Sequence, residues 1–295
     1  MVTPKIHAAL LASPGMGHLI PTMELAKRLT THHGFDVTVF IVTTDSSDSD
    51  RTTTSKIIQQ TSNFNGINVV VIPPVHVSDK LDPNNPSLGL RIVLTMIESL
   101  PFIQSQILSM KFPPSVLIVD LFGTMALPMA RDLHMSSYVF FATNAWFSAV
   151  NIYLPFITNE AFSRHANDHE PLLIPGCEPI RFEDTLETFV APWGPIHEGY
   201  VEVTKEILSV DGILMNTWQD LEPGAIKAVT ENEILGQRVM VDEDDIGMRV
   251  KVKEYKLSGE KALSVFGSSH KSLCQMTKNC EVHLHQNSEA KDRGA

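Results

Sequence analysis

Apolar residues fall into short blocks cut by glycine and proline turns, alternating with stretches where they recur every three or four positions. Ile6 to Ala12 is a strand-length run. Beyond Pro14, Gly15 and Gly17, the spacing of Ile20, Met23, Leu25, Ala26 and Leu29 predicts a helix. Asp36 to Thr43 reads as a β-branched strand, and Asn68 to Ile72 as a third strand closed by Pro73 and Pro74. A helical period then runs from about Leu88 to Met110, before Pro113 and Pro114. Ser115 to Asp120 is an apolar strand ending in a carboxylate, followed by a helix through Ala126, Met129, Ala130 and Leu133. Tyr138 to Ala142 is the next strand, and a helix capped by Thr143 or Asn144 extends to about Ala161. Residues 163–195 read as irregular, before a helix that leads into the strand Asp211 to Asn216. Strands alternating with helices in this way predict an α/β fold: a doubly wound parallel sheet with helices on both faces.

The first strand, turn and helix hold the most chemistry. Glycines let backbone amides approach a ligand closely, and a helix N-terminus offers unpaired N–H groups to a phosphate, which makes Gly15 and Gly17 candidate ligand-binding positions. His18 stands where the helix begins, at the carboxyl edge of the first strand, the usual ligand crevice of an open α/β sheet. An imidazole there is placed to take a proton; a cap or a satisfied core histidine is the plainer reading of the same residue. Ile20 is bulky where a dinucleotide fingerprint needs its third glycine, so a nicotinamide dehydrogenase is poorly supported. A triphosphate loop fails outright, because the turn lacks Gly-Lys-Ser/Thr.

Asp120 ends its strand on the same edge of the sheet, so the fold can bring it to His18 across about a hundred residues. Its carboxylate would hold one ring nitrogen as a donor, leave the other to accept a proton, and stabilise the imidazolium. Capping of the helix near Thr124 explains the same aspartate equally well. No Gly-x-Ser-x-Gly elbow is present to supply a serine nucleophile.

With 295 residues, 43% of them hydrophobic, the chain can bury a sizeable core, and two domains are expected. Its net charge of −11 argues against a nucleic-acid partner or a polybasic membrane patch. Arg249, Lys251 and Lys253 are bracketed by Glu243, Asp244, Asp245 and Glu254, which suits a solvated helix face. The run Asp45 to Asp50 lacks the glycine and terminal glutamate of a calcium loop and reads as a surface loop. Cys177, Cys274 and Cys280 form no CxxC pair, so a reducing, cytoplasmic setting is expected. No leader and no stretch of membrane-spanning length is expected either. Cys280, His283 and His285 lie close in sequence, but a short polar tail offers no fourth ligand, and no metal site is expected.

Four segments carry a resemblance: His7 to Pro21; Ile118-Val119-Asp120-Leu121-Phe122-Gly123; Ile174-Pro175-Gly176-Cys177; and Asp211 to Trp218. In order and spacing they closely resemble the plant family-1 UDP-glycosyltransferases, particularly the phenolic glucosyltransferases of the hydroquinone or arbutin-synthase type, over about the first 225 residues. The resemblance implies a GT-B architecture, in which a Rossmann-like N-terminal domain binds the acceptor and a C-terminal domain binds the UDP-sugar. It implies that His18 deprotonates an acceptor hydroxyl that attacks the anomeric carbon with inversion, and that Asp120 supports it. Thr143 falls near the family's sugar-contacting position on the donor side, where a helix cap explains it as well. Phe122, Phe141, Trp146 and Phe147 would line the acceptor pocket, with core packing as the plain alternative. A small phenol would be the partner and UDP-glucose the co-substrate, without a cofactor or metal.

Arg238 to His285 resembles the family's extreme C-terminus, through Gly259 to Ser264 and Gly267 to His270. The family's donor signature is absent: a tryptophan on uracil, a His-Cys-Gly-Trp-Asn-Ser segment and an Asp/Glu-Gln pair. Trp146, Trp193 and Trp218 all precede residue 219. The expectation is therefore an acceptor domain at 1–225, terminal helices of a truncated second domain at 226–285 and a disordered tail at 286–295. Such a chain would bind a UDP-sugar only with its donor site completed and would not turn over alone. It would also expose an apolar wall that favours self-association. The alternative is a non-catalytic module that binds a phenol or pairs with an intact homologue.

Overall fold

The structure, a computed structural model, describes residues 5–44, 55–59, 64–81, 87–175, 177–185, 195–231 and 258–293. The acidic run at 45–50, Gly176, Trp193 and the basic stretch at 249–253 lie outside the described residues. The chain divides into two compact units, Met1–Ala142 with Leu273–Ala295, and Thr143–Ser272. The divide falls between Ala142 and Thr143.

In the first unit, β1 (His7–Ala12) leads into α1 (Met16–His33), β2 (Asp36–Val42), β3 (Ile67–Ile72), α2 (Leu88–Ser109), β4 (Val116–Val119), α3 (Leu127–Asp132) and β5 (Ser136–Phe141). These five strands lie in the order β3-β2-β1-β4-β5. Every pairing among them is parallel, with His7 opposite Asp36, Val37 opposite Ile67, Ala8 opposite Val116 and Val116 opposite Ser136. Strands covered on both faces need near-continuous apolar runs, which is why Ala8 to Ala12 and Val116 to Val119 are buried throughout. Each fully buried Leu, Ile or Val contributes roughly 1.5–3 kcal/mol. β5 begins two residues before the pattern placed it, because Ser136 and Ser137 join the ladder despite their hydroxyls.

Among the described residues one helix, α2, is long and apolar enough to cross a membrane by length and composition, with a mean hydropathy of 1.3 over its most apolar 18-residue window. Ile92, Met96, Ser99, Ile103 and Ile107 form a buried stripe at helical spacing, the pattern of a helix packed on a core.

The second unit contains α4 (Ala145–Tyr153), α5 (Asn159–Asp168), α6 (Pro195–Ile207), β6 (Gly212–Met215), α7 (Pro223–Thr230) and a helical segment at 258–263. The single helix expected to about Ala161 is two. Pro155 sits in a 3-10 turn, Leu154–Phe156, and Thr158 starts a new helix by accepting the Ala161 N–H at 3.2 Å. Residues up to Asp168 are consequently helical where irregular chain was expected. Buried Ala145, Ala225 and Ile226 join α4 to α7, with Trp146, Cys177 and Met215 packed around them. The Tyr153 hydroxyl donates to the Ala228 carbonyl at 3.3 Å and pins the far end of the pair. Tyr200 donates to Asn151 Oδ1 at 2.6 Å, and burial pushes its phenol above the usual range.

The last helix, α8 (Ser268–Arg293), crosses most of the segment expected to be a disordered tail. Within the first unit its Met276 is wholly buried, and Cys280 Sγ lies 3.6 Å from the Tyr138 hydroxyl. Cys280 and His283 therefore serve different partners, since His283 Nε2 reaches the His134 carbonyl at 3.2 Å.

Candidate active site

The winding of the first unit's sheet reverses between β1 and β4, and in an open α/β sheet that switch point opens a crevice at the strands' carboxyl ends. Ser13 is the first residue after β1, and Asp120 the first after β4. Asp120, 2% exposed, receives three donors: Ser13 N to Oδ2 at 3.0 Å, Ser13 Oγ to Oδ1 at 2.5 Å and Gly123 N to Oδ1 at 2.9 Å. Charge-assisted bonds of this kind keep a buried carboxylate satisfied and its oxygens fixed in place.

His18, the third residue of α1, brings Nδ1 to 3.1 Å from Asp120 Oδ2. The approach is of ion-pair length but lies off the line of a hydrogen bond, leaving Nδ1 buried without an aligned acceptor. Catalytic contacts are often misaligned in this way before a substrate binds. A carboxylate only accepts, so the proton of the neutral ring is assigned to Nδ1 and Nε2 is left as the basic nitrogen. Phe122 packs edge-on against the imidazole, with ring centroids 5.4 Å apart at 70°.

Asp120 caps the 3-10 turn Leu121–Ala126 through the Gly123 N–H, and its Oδ2 lies 3.1 Å from His18 Nδ1. The two glycines of the turn differ. Gly15 has φ +116°, a region open to glycine alone, and its carbonyl accepts the N–H groups of His18 and Leu19 at 3.1 and 3.0 Å. A Cβ on Gly17 would meet open space, so nothing in the backbone requires that glycine. Gly123 is a third, unforeseen one: a Cβ there would lie 3.0 Å from Val119 Cβ and 3.3 Å from Asp120 Oδ1.

In the second unit, Thr143, Trp146, Phe147, Ile180, Asp184 and Thr185 are on the wall of a cavity of about 470 Å³. Asn144, not Thr143, caps α4, its Oδ1 accepting the Phe147 N–H at 2.9 Å. Glu222 reaches the same helix end, with Oε2 accepting the Ala145 N–H at 2.9 Å and Oε1 the Trp146 N–H at 3.1 Å.

No protein-family model matches the chain. It is 40% identical over 243 residues to UDP-glycosyltransferase 72E3 of Arabidopsis thaliana, covering 82% of this chain and 49% of that protein. Over the matched residues, the chain belongs to the plant UDP-glycosyltransferases. The hydroquinone glucosyltransferase of Rauvolfia serpentina is 35% identical over 234 residues, covering 77% of this chain and 47% of that one. The fold superposes with TM-score 0.71 and 25% identity on a UDP-glucosyltransferase from Polygonum tinctorium capable of glucosylating indoxyl, in complex with 3,4-dichloroaniline. That match covers 88% of this chain and 57% of the other. The chain thus spans about half the length of the curated relatives it matches.

The sequence-selected residues separate into three groups. His18, Asp120 and Phe122 meet at one edge of the first unit's sheet, with Gly15 shaping the turn. Thr143, Trp146 and Phe147 share the cavity of the second unit. Phe141 is 1% exposed within β5, and its ring is part of the core. Ser13 and Glu222 were missed. Ser13 stood in the motif and could have been read from a hydroxyl directly after a strand, whereas nothing local to Glu222 announces partners 76 and 77 residues away.

Proposed function

We propose that this chain is the acceptor-activating part of an inverting UDP-glycosyltransferase, with His18 as the base toward a phenolic hydroxyl. The observation that carries the reading is the 3.1 Å approach of His18 Nδ1 to the buried Asp120 Oδ2 at the carboxyl ends of β1 and β4. The phenol gives its proton to His18 Nε2 while its oxygen attacks the anomeric carbon. UDP departs from the opposite face with the electron pair of the broken bond. Asp120 balances the imidazolium that forms, and such general-base assistance contributes typically about 10²–10⁴-fold.

The acceptor class rests on the family, on Phe122 packed against His18 in the first unit and, separately, on Trp146 and Phe147 in the cavity wall of the second. UDP-glucose is the proposed co-substrate, with Thr143 toward its sugar. No residue of this sequence is assigned to the uracil or the diphosphate, so we propose that the chain holds acceptor and base without completing the transfer by itself. Three free cysteines suit a reducing cytoplasm.

The test is incubation of the purified chain with UDP-glucose and hydroquinone, followed by mass spectrometry. Alone, it should form no glucoside. Supplied with the donor-binding half of the Rauvolfia relative, it should form one, and His18→Ala should lower that yield at least about 100-fold. Glucoside from the chain alone would overturn the lack of turnover, and formation that survives His18→Ala would overturn the base.

A further inference from the structure

We propose that Glu222 is a positioning residue: its carboxylate clamps the first turn of α4 and so holds the Trp146 and Phe147 wall of the second unit's cavity in register for an aromatic ligand. The proposal rests on the acceptor reading of that cavity.

An α-helix opens with four N–H groups that have no partner inside it. In α4 three of them are taken by side chains. Phe147 donates to Asn144 Oδ1 at 2.9 Å, and the first bond inside the helix runs from the Ser148 N–H to the Asn144 carbonyl at 3.2 Å. The remaining two, Ala145 and Trp146, donate to the two oxygens of Glu222. One carboxylate therefore supplies what the local sequence does not, and its charge faces the positive end of the helix dipole. Thr217 Oγ1 donates to Oε2 at 2.6 Å as a third, independent restraint.

Glu222 is also the residue before α7, whose first turn starts with the Ile226 N–H on the Glu222 carbonyl at 3.0 Å. Its side chain makes no cap for its own helix, and Pro223 at the first helical position lacks an N–H that would need one. The backbone thus opens α7 while the side chain closes α4. Trp146 is held by its N–H and is itself part of the cavity wall, so movement of this turn moves that wall.

Glu222→Gln tests this in the full chain. It keeps the shape, removes the charge and puts an amide NH₂ against a backbone donor. Calorimetry with hydroquinone as probe should give a Kd raised at least tenfold. Amide exchange by NMR should quicken at least tenfold at Ala145 and Trp146, and much less at Phe147, which keeps Asn144. Tyr153→Phe loosens the same helix pair at its far end and should leave the Kd unchanged. Equal affinity in Glu222→Gln and the unmodified chain overturns positioning. Equal loss in both variants reduces Glu222 to general stability and overturns it too. Should the unmodified chain take up no hydroquinone, the ligand reading of the cavity falls; unchanged exchange at Ala145 and Trp146 overturns the clamp itself.

Discussion

Ser13 and Asp120 are joined by two hydrogen bonds, backbone N to Oδ2 at 3.0 Å and Oγ to Oδ1 at 2.5 Å, so the residue after β1 locks the carboxylate after β4. With Gly123 N on Oδ1, the carboxylate cannot rotate away from His18 without losing all three bonds. Ser13→Ala should cost about 1–2 kcal/mol in urea unfolding, the value of one charged bond with the carboxylate still partly served. Asp120→Ala orphans three buried donors and should cost about 3–5 kcal/mol. Equal midpoints for the two variants would show that the serine hydroxyl carries the whole network.

The turn glycines should respond in opposite directions. Gly15→Ala forces a side chain into φ +116° and should destabilise by about 1–3 kcal/mol. Gly17→Ala places its methyl in open space within a helix and should stabilise by about 0.5–1 kcal/mol. Thermal melts of the two variants check both signs.

Burial, and then the charge of Glu222, push the Cys177 thiol above its ordinary value. The folded chain holds this proton more tightly than the unfolded one. Its contribution to stability is complete below the ordinary thiol value and is lost as pH rises through the folded value. Above about pH 9, the unmodified chain should lose stability faster than Cys177→Ala. At pH 8, iodoacetamide should label Cys177 more slowly in the folded than in the urea-unfolded chain, as read by peptide mass spectrometry.

Residues 286–295 should matter to stability. Their removal takes away the Asn287 Nδ2 bond to the His134 carbonyl, 3.1 Å, and should lower the unfolding free energy by about 1 kcal/mol. Met276→Ala, which empties a wholly buried site on the same helix, should cost about 2–5 kcal/mol. A truncated chain with an unshifted denaturation midpoint would restore the disordered tail.

Much of the first unit could be read in advance. β1 and β4 are blocks of apolar residues buried on both faces, and such blocks look alike in sequence and in space. The helix expected to Ala161 was harder, because a 3.6-residue period continues across Pro155 while the cap at Thr158 resets the backbone. The expectation of a tail from 286 rested on family pattern and not on packing, which continues α8 to Arg293 and carries it to Tyr138.

By itself, the sequence determined the alternation of strands and helices, the glycine turn at Gly15 and the placement of His18 and Asp120 at strand ends, because period and turn chemistry act over a few neighbouring residues. Only the tertiary structure decided which atoms meet. Ser13 and Gly123 fix the Asp120 oxygens, Phe141 turns into the core, and Glu222 closes a helix 77 residues away. Hydrogen bonds and side-chain packing depend on distances of a few ångströms, and those exist only once the chain has folded.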